Sequence, residues 1–192
     1  MNLLHLDSSI LGENSASRAL SAAIVARWED AAPALKVTYR DLAAHPLPHL
    51  SGGSLGGADA IEAADAARVM QEFLDADVVV VGAPMYNFGV PSTLKAWIDR
   101  VAVAGKTFRY TETGPQGLAG GKKVILASSR GGFHQHNGAD FQEAYLRQVF
   151  GFLGVTDIEV VRAEGLAISP QQREESMTAA HASIRVPLAE AA

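Results

Sequence analysis

The chain contains no cysteine among its 192 residues. That absence removes disulfides, thiolate metal sites and a cysteine nucleophile together, and it is compatible with a reducing cytosol. Long apolar runs are also missing. Leu3-Leu4-His5-Leu6 is too short for a signal peptide and lacks its basic start. No segment approaches the ~20 apolar residues of a membrane span. Positive charge is scarce: 16 Lys and Arg stand against 21 Asp and Glu, a net charge of −5. A nucleic-acid surface, which needs clustered cations, is therefore not expected. No Gly-Lys-Ser/Thr ending marks a P-loop, and the spaced glycines of a dinucleotide fingerprint are absent, which argues against a tightly held NAD of the Rossmann type. What remains is 48% hydrophobic and 19% charged, the composition of a packed protein rather than a disordered one. The expectation is a soluble, cytoplasmic protein with residues 1–192 forming one domain, large enough to bury roughly 70% of its unfolded surface.

The patterning alternates between strand and helix. Asn2 to Asp7 reads as a first strand, and Ser15 to Glu29 as an amphipathic helix with Leu20, Ile24 and Trp28 on one stripe. Leu35 to Tyr39 reads as a second strand, Pro46 to Gly57 as a Pro, Gly and Ser loop, and Ala58 to Ala76 as a helix. Val78 to Val81 is a third strand, followed by a helix from about Ser92 to Val103. Lys106 to Gly121 fits no regular element and is expected to be an irregular excursion of about residues 105–121. Val124 to Ser128 and Ile158 to Arg162 are further strands. Asp140 to Leu153 is a helix with Phe141, Tyr145, Val149 and Leu153 at helical spacing, and Gln171 to Leu188 closes the chain as another. This βα alternation predicts a three-layer α/β sandwich with helices on both faces of a parallel sheet. Five strands favour the flavodoxin-like order 2-1-3-4-5, whose ligand crevice lies beside strands one and three.

Three loops meet at that crevice. The most informative follows the all-valine strand: Pro84-Met-Tyr-Asn-Phe-Gly-Val-Pro91 is aromatic and apolar where a connector is normally polar. Its prolines restrict the backbone, so it reads as a preformed wall for a flat ligand, with Met85, Tyr86 and Phe88 as faces and Asn87 as a polar contact. The alternative is a loop folded into the core. The first loop, Asp7 to Ser17, offers Ser9, Ser15 and Ser17 to a phosphate at a helix start, with Gly12 to turn the chain; a plain capping role for Ser15 or Ser17 is compatible with this. The third, Ser128-Ser-Arg-Gly-Gly-Phe-His-Gln-His136, has Gly131 and Gly132 to bring backbone amides near a ligand edge such as the flavin N1/C2 carbonyl. Arg130 is either a fixed cation there or a surface residue. His134 and His136 have no acidic or thiolate partner in their segment, so no metal is expected, and His134 reads better as a hydrogen-bond donor to a reduced ring. A phosphatase of this topology lacks its cysteine here, and Gly82-Ala83-Pro84 stands where a receiver domain needs an aspartate.

These residues resemble the FMN-dependent NADH azoreductases, NAD(P)H–quinone oxidoreductases of the flavodoxin-like superfamily. The similarity runs nearly end to end: Leu6-Asp-Ser-Ser-Ile10, Ala83 through Arg100, Gly105-Lys-Thr-Phe-Arg-Tyr110, Ser129-Arg-Gly-Gly132, Gly151-Phe-Leu-Gly154 and Ala163-Glu-Gly165. The resemblance implies a bound FMN. Its phosphate would lie on Ser9, Ser15 and Ser17, with Ala16 contributing only backbone. Its ring would lie on Pro84, Met85, Tyr86, Asn87 and Phe88, and its pyrimidine side on Ser129, Gly131 and Gly132. It further implies a homodimer with active sites at the interface, where Tyr110 and Phe152 line the substrate face. NADH or NADPH would reduce the flavin, and a quinone or aromatic azo compound would then take two electrons in a ping-pong cycle, the azo bond being cleaved to amines. No side chain need act as a dedicated acid. A flavodoxin-type electron carrier and a flavin-binding regulatory protein are the alternatives; such carriers are typically far more acidic.

Overall fold

A computed structural model describes residues 1–57, 59–135, 138 and 140–186. Its centre is a five-stranded parallel sheet of order β2-β1-β3-β6-β7. The strands are β1 (Asn2–Asp7), β2 (Lys36–Asp41), β3 (Val78–Pro84), β6 (Lys123–Ser129) and β7 (Asp157–Ala163). In order of appearance within the sheet this is 2-1-3-4-5, as the patterning predicts. Every residue of β3 is buried, because a middle strand of a parallel sheet has helices on both faces. β2 at the edge is mostly polar and partly exposed.

Alternation along the strands feeds two cores. Leu3, Val78, Val80, Ile125 and Ala127 pack under α1 (Ala16–Ala31) and α6 (Pro170–Ala182), where Leu20, Ile24 and Trp28 form the expected stripe. Leu4, Leu6, Val79, Val81 and Leu126 pack under α3 (Ala60–Asp75), α4 (Ser92–Val101) and α5 (Phe141–Phe152), with Phe73, Trp97 and Phe150 in mutual ring contact. The sequence Gly52–Leu55, expected as loop, makes one helical turn, α2, because Ser51 and Ser54 form a capping box.

Other expectations need correction. The stripe of α5 is rotated by one residue: Gln142, Leu146 and Phe150 are buried while Phe141 is exposed. Helix α6 ends at Ala182, where Ser183 caps it, short of the expected Leu188, which lies outside the described residues, as does Ala58. The segment 105–121 is not irregular. It holds a two-stranded antiparallel hairpin of β4 (Phe108–Thr111) and β5 (Gly114–Gly117), apart from the main sheet. Gly114, at φ +117°, makes its turn possible. Thr107 Oγ1 donates to the Val101 carbonyl at 2.5 Å, and Ala119 N donates to the Leu153 carbonyl at 2.9 Å, tying the hairpin to the ends of α4 and α5.

Candidate active site

A cleft of about 190 Å³ opens at the carboxyl ends of β1, β3 and β6. One wall is Ser9, Leu11, Asn14, Ser15 and Ala16; the opposite one is Pro84, Met85, Tyr86, Ser129, Arg130 and Gly131; Leu166, Ala167 and Arg173 close it from the loop after β7 and the start of α6. The carboxyl ends of parallel strands are where such sheets place ligands, since the chain leaves neighbouring strands there in different directions.

The first wall is shaped by capping chemistry. Gly12, at φ +54°, begins a short 3-10 turn through Asn14, and Ser15 then caps α1 by accepting from Arg18 N at 3.3 Å. Ser15 and Ser17 share a hydroxyl hydrogen bond at 3.1 Å. Ser17 is fully buried behind the wall and does not line the cleft, whereas Ser9, Ser15 and Ala16 do. Ser9 Oγ lies 3.1 Å from Tyr86 Oη, and Ile10 N donates to the same phenol at 3.2 Å, so the first and second loops are tied together.

The second loop is a tight primed turn. Tyr86 N donates to the Gly89 carbonyl at 3.1 Å and Gly89 N donates back at 3.0 Å. Between them Asn87 (φ +50°) and Phe88 (φ +66°) both lie in the left-handed region. Asparagine tolerates that conformation, but for a phenylalanine it stores backbone strain of order 1 kcal/mol. Both side chains are exposed and neither lines the cleft itself; Phe88 meets the His134 ring edge-on, with centroids 5.7 Å apart at 86°.

The third loop is pinned from both sides. Ser129 O accepts from Met85 N at 2.9 Å, and the carbonyls of Arg130, Gly131 and Gly132 accept from the amides of Leu166, Ala167 and Gly165. Ser129 and Gly131 line the cleft. A β-carbon on Gly132 would come within 3.1 Å of His134 Nε2, so the glycine leaves room for the imidazole. His134 N donates to Glu164 Oε1 at 3.0 Å, while its buried Nδ1 has no partner among the described residues. His136 lies outside the described residues. Among the described residues no group of three or more His, Asp or Glu could hold a metal ion.

Arg130 is not a surface residue. Its side chain is wholly buried among Asp140 at 2.7 Å, Glu164 at 3.0 Å and Glu143 at 3.7 Å. Burial raises the Glu143 carboxyl, but hydrogen bonds from Arg162 and Arg147 outweigh it and hold the group below the usual carboxylate range. The charge of Arg130 is thus consumed in holding the loop.

Sequence reasoning missed Gln142. It is buried, and its Nε2 donates to the carbonyls of Ala83 at 3.1 Å and Pro84 at 2.7 Å while Oε1 accepts from Ser128 Oγ at 3.2 Å. The ends of β3 and β6 are thereby fixed to each other. Its signal was available: a polar residue at i of the stripe completed by Leu146 and Phe150 must be hydrogen-bonded inside. Arg173, Leu166 and Ala167 were also missed, because no local pattern announces which distant loop closes a cleft. Tyr110 and Phe152 are not part of it. They flank Phe108, at centroid distances of 5.6 Å and 4.5 Å, on the hairpin side of the molecule.

Comparison with known proteins bears on the family and the fold. The family model of the flavodoxin-like fold matches residues 1–187. A protein of Stenotrophomonas maltophilia named FMN-dependent NADH:quinone oxidoreductase is 64% identical over 184 residues, covering 96% of this chain and 94% of that one. The chain belongs to this family. A second member, from Xanthomonas oryzae pv. oryzae and of the same name, is 61% identical over 185 residues, 96% of this chain and 95% of its own. Among solved structures, an azoreductase from Bacillus anthracis superposes with a TM-score of 0.87 at 32% identity, covering 96% of each chain. The family resemblance carried by the motifs is borne out, and so is the fold. No helix among the described residues is long and apolar enough to cross a membrane.

Proposed function

We propose that this protein is an FMN-dependent NAD(P)H oxidoreductase that reduces quinones and cleaves aromatic azo bonds. The observation that carries the reading is the meeting, at one end of the sheet, of a helix start rich in hydroxyls and amides with an apolar slot. The cleft residues fit FMN. Ser9, Ser15 and the amides around Ala16 suit a phosphate. Pro84, Met85, Leu166 and Ala167 suit the body of a flat ring, and Ser129 and Gly131 suit its polar edge, with Gly132 and His134 next to them in the same loop. Ser17 acts behind the first wall by holding Ser15.

Held by these residues, FMN would supply two-electron hydride chemistry, passed in alternating half-reactions from NADH or NADPH to the acceptor. The protein's part is orientation. Tyr86 joins the phosphate loop to the ring-binding loop, Gln142 fixes the carbonyl-bearing end of β3, and the strained turn at Asn87 and Phe88 holds the Phe88 ring against His134, outside the cleft lining. No acidic or basic side chain is required to move a proton, since solvent reaches the open cleft.

We further read the chain as one domain, 1–192, carrying the β4–β5 hairpin as an insertion, and as a cytoplasmic homodimer. Tyr110 is 76% exposed and Phe152 half-buried, each against Phe108 and neither lining its own cleft. In a dimer these side chains would line the substrate face of the partner's site.

The test is anaerobic mixing of FMN-loaded protein with NADH, then with a simple benzoquinone. Bleaching of the flavin absorbance by NADH alone, followed by reoxidation by the quinone at saturating rate, is the expected result. Failure of NADH to reduce the bound flavin would sink the enzyme reading and leave an electron carrier; a protein that cannot be loaded with FMN would sink both.

A further inference from the structure

Three arginines stand at or beside the cleft, and they differ in what neutralises them. Arg18 is held by Asp41, with contacts of 2.7 and 2.8 Å, and lies 3.8 Å from Asp7. Arg130 is enclosed by Asp140, Glu164 and Glu143. Arg173 is different. It lines the cleft beside Asn14, Ser15 and Ala16, and also the shallow hollow that continues past Glu13 and Met177. Among the described residues it makes no ion pair, and its guanidinium donates one long hydrogen bond, Nη2 to the Asn14 carbonyl at 3.3 Å.

Arg173 is exposed, so its guanidinium is free to take up an anion entering the cleft. It sits at the start of α6, where its amide donates to Ser169 O. Its side chain reaches the turn that leads into α1, next to the helix start whose amides suit an anion. Arg173 is thus a cleft-lining cation beside the hydroxyls of the first wall that makes no ion pair among the described residues, although Glu13 lines the neighbouring hollow. The hydroxyls of Ser9 and Ser15 and the nearby amides can hydrogen-bond either a phosphate or a neutral hydroxyl; a guanidinium distinguishes them by charge and by its fork of donors.

We propose that Arg173 is the counter-cation of the cofactor's phosphate and sets the preference for FMN over riboflavin. The inference rests on the FMN reading above. It assigns to α6, the last helix in the chain, a direct hand in cofactor selection, and it predicts that this selection weakens with salt.

The test is titration of FMN and of riboflavin into flavin-free protein, followed by quenching of flavin fluorescence, for wild type, Arg173→Gln and Arg173→Lys at low and high salt. Arg173→Gln is expected to bind FMN about tenfold more weakly at low salt, the loss typical of a charged hydrogen bond. It should bind riboflavin as wild type does and show a flatter salt dependence for FMN. Arg173→Lys should recover part of the loss. Equal weakening of both flavins by Arg173→Gln assigns the residue a merely structural role and overturns the proposal, as does unchanged FMN affinity. Riboflavin binding serves as the internal control for folding. If wild type itself binds no FMN, the cofactor reading fails and this inference with it; if only the arginine variants match wild type, the inference fails alone.

Discussion

Gly117 at the end of β5 and Gly154 after α5 touch backbone to backbone: a β-carbon on Gly117 would overlap the amide of Gly154. Gly154 in turn holds φ +97°, and a β-carbon there would come within 3.0 Å of Gly117. The hairpin that carries Tyr110 is therefore docked by a contact that only two glycines allow. Gly117→Ala should cost about 1–3 kcal/mol, the usual range for overpacking a tight contact. Urea unfolding measures that loss, and a stability equal to wild type would show that the hairpin docks in some other way.

Phe88 occupies the second central position of a primed turn whose favoured sequence is Asn-Gly. Phe88→Gly should therefore stabilise the protein by about 1 kcal/mol while removing the ring that meets His134. The expected result is a higher Tm together with a poorer KM for quinone. A lowered Tm would mean that the aromatic contact outweighs the strain.

Gln142→Ala leaves the carbonyls of Ala83 and Pro84 and the Ser128 hydroxyl short of a partner in a buried place. A loss of about 2–3 kcal/mol follows from such unmet groups, together with weaker FMN binding as the ends of β3 and β6 loosen. Gln142→Glu keeps the shape but loses the donor, and should lie close to the alanine variant. Chemical denaturation and flavin titration of the two variants check both statements.

The Asp41 carboxyl is held at about 2, below its ordinary 3.8, chiefly by hydrogen bonds from Arg18 that prevail over burial, with the amides of Ala43 and Ala44 adding to them. Because its folded pKa is depressed, the stability it confers is complete above about pH 4 and is lost as pH falls toward 2. Asp41→Asn should thus be less stable than wild type at pH 5, and the difference should shrink at pH 2.5. Urea midpoints at the two pH values give the comparison, and a gap that widens in acid would reverse the assignment.

Much of the fold could be read from the chain because the relevant signals are local. The all-valine run Val78 to Val81 has no face that tolerates water, so it had to be a middle strand. Leu20, Ile24 and Trp28 lie on one stripe whatever packs against them. The motif Pro84 to Pro91 announced a preformed wall, and the turn at Asn87 and Phe88 is what gives it shape. Gln142 was less legible: its polarity hid it from a search for apolar periodicity, although its spacing from Leu146 and Phe150 placed it on the buried stripe. The hairpin at 108–117 was missed because its strands are only four residues each and one of them reads Gly-Pro-Gln-Gly. Nothing in that composition favours a strand; the docking of glycine on glycine does.

The sequence by itself determined the alternation of strand and helix, the strand order that this alternation favours, the chemistry of the three loops and the family to which they belong. Each of these depends on residues close together in the chain. Tertiary structure decided which charges are spent and which are left over. Arg18, Arg130 and Arg173 are equivalent as letters, yet two are consumed by carboxylates and one lines the cleft with no ion pair among the described residues. Coulombic pairing depends on distance in space, and the partners of Arg130 include Glu164, 34 residues away. That distance closes only when β6 and β7 lie side by side.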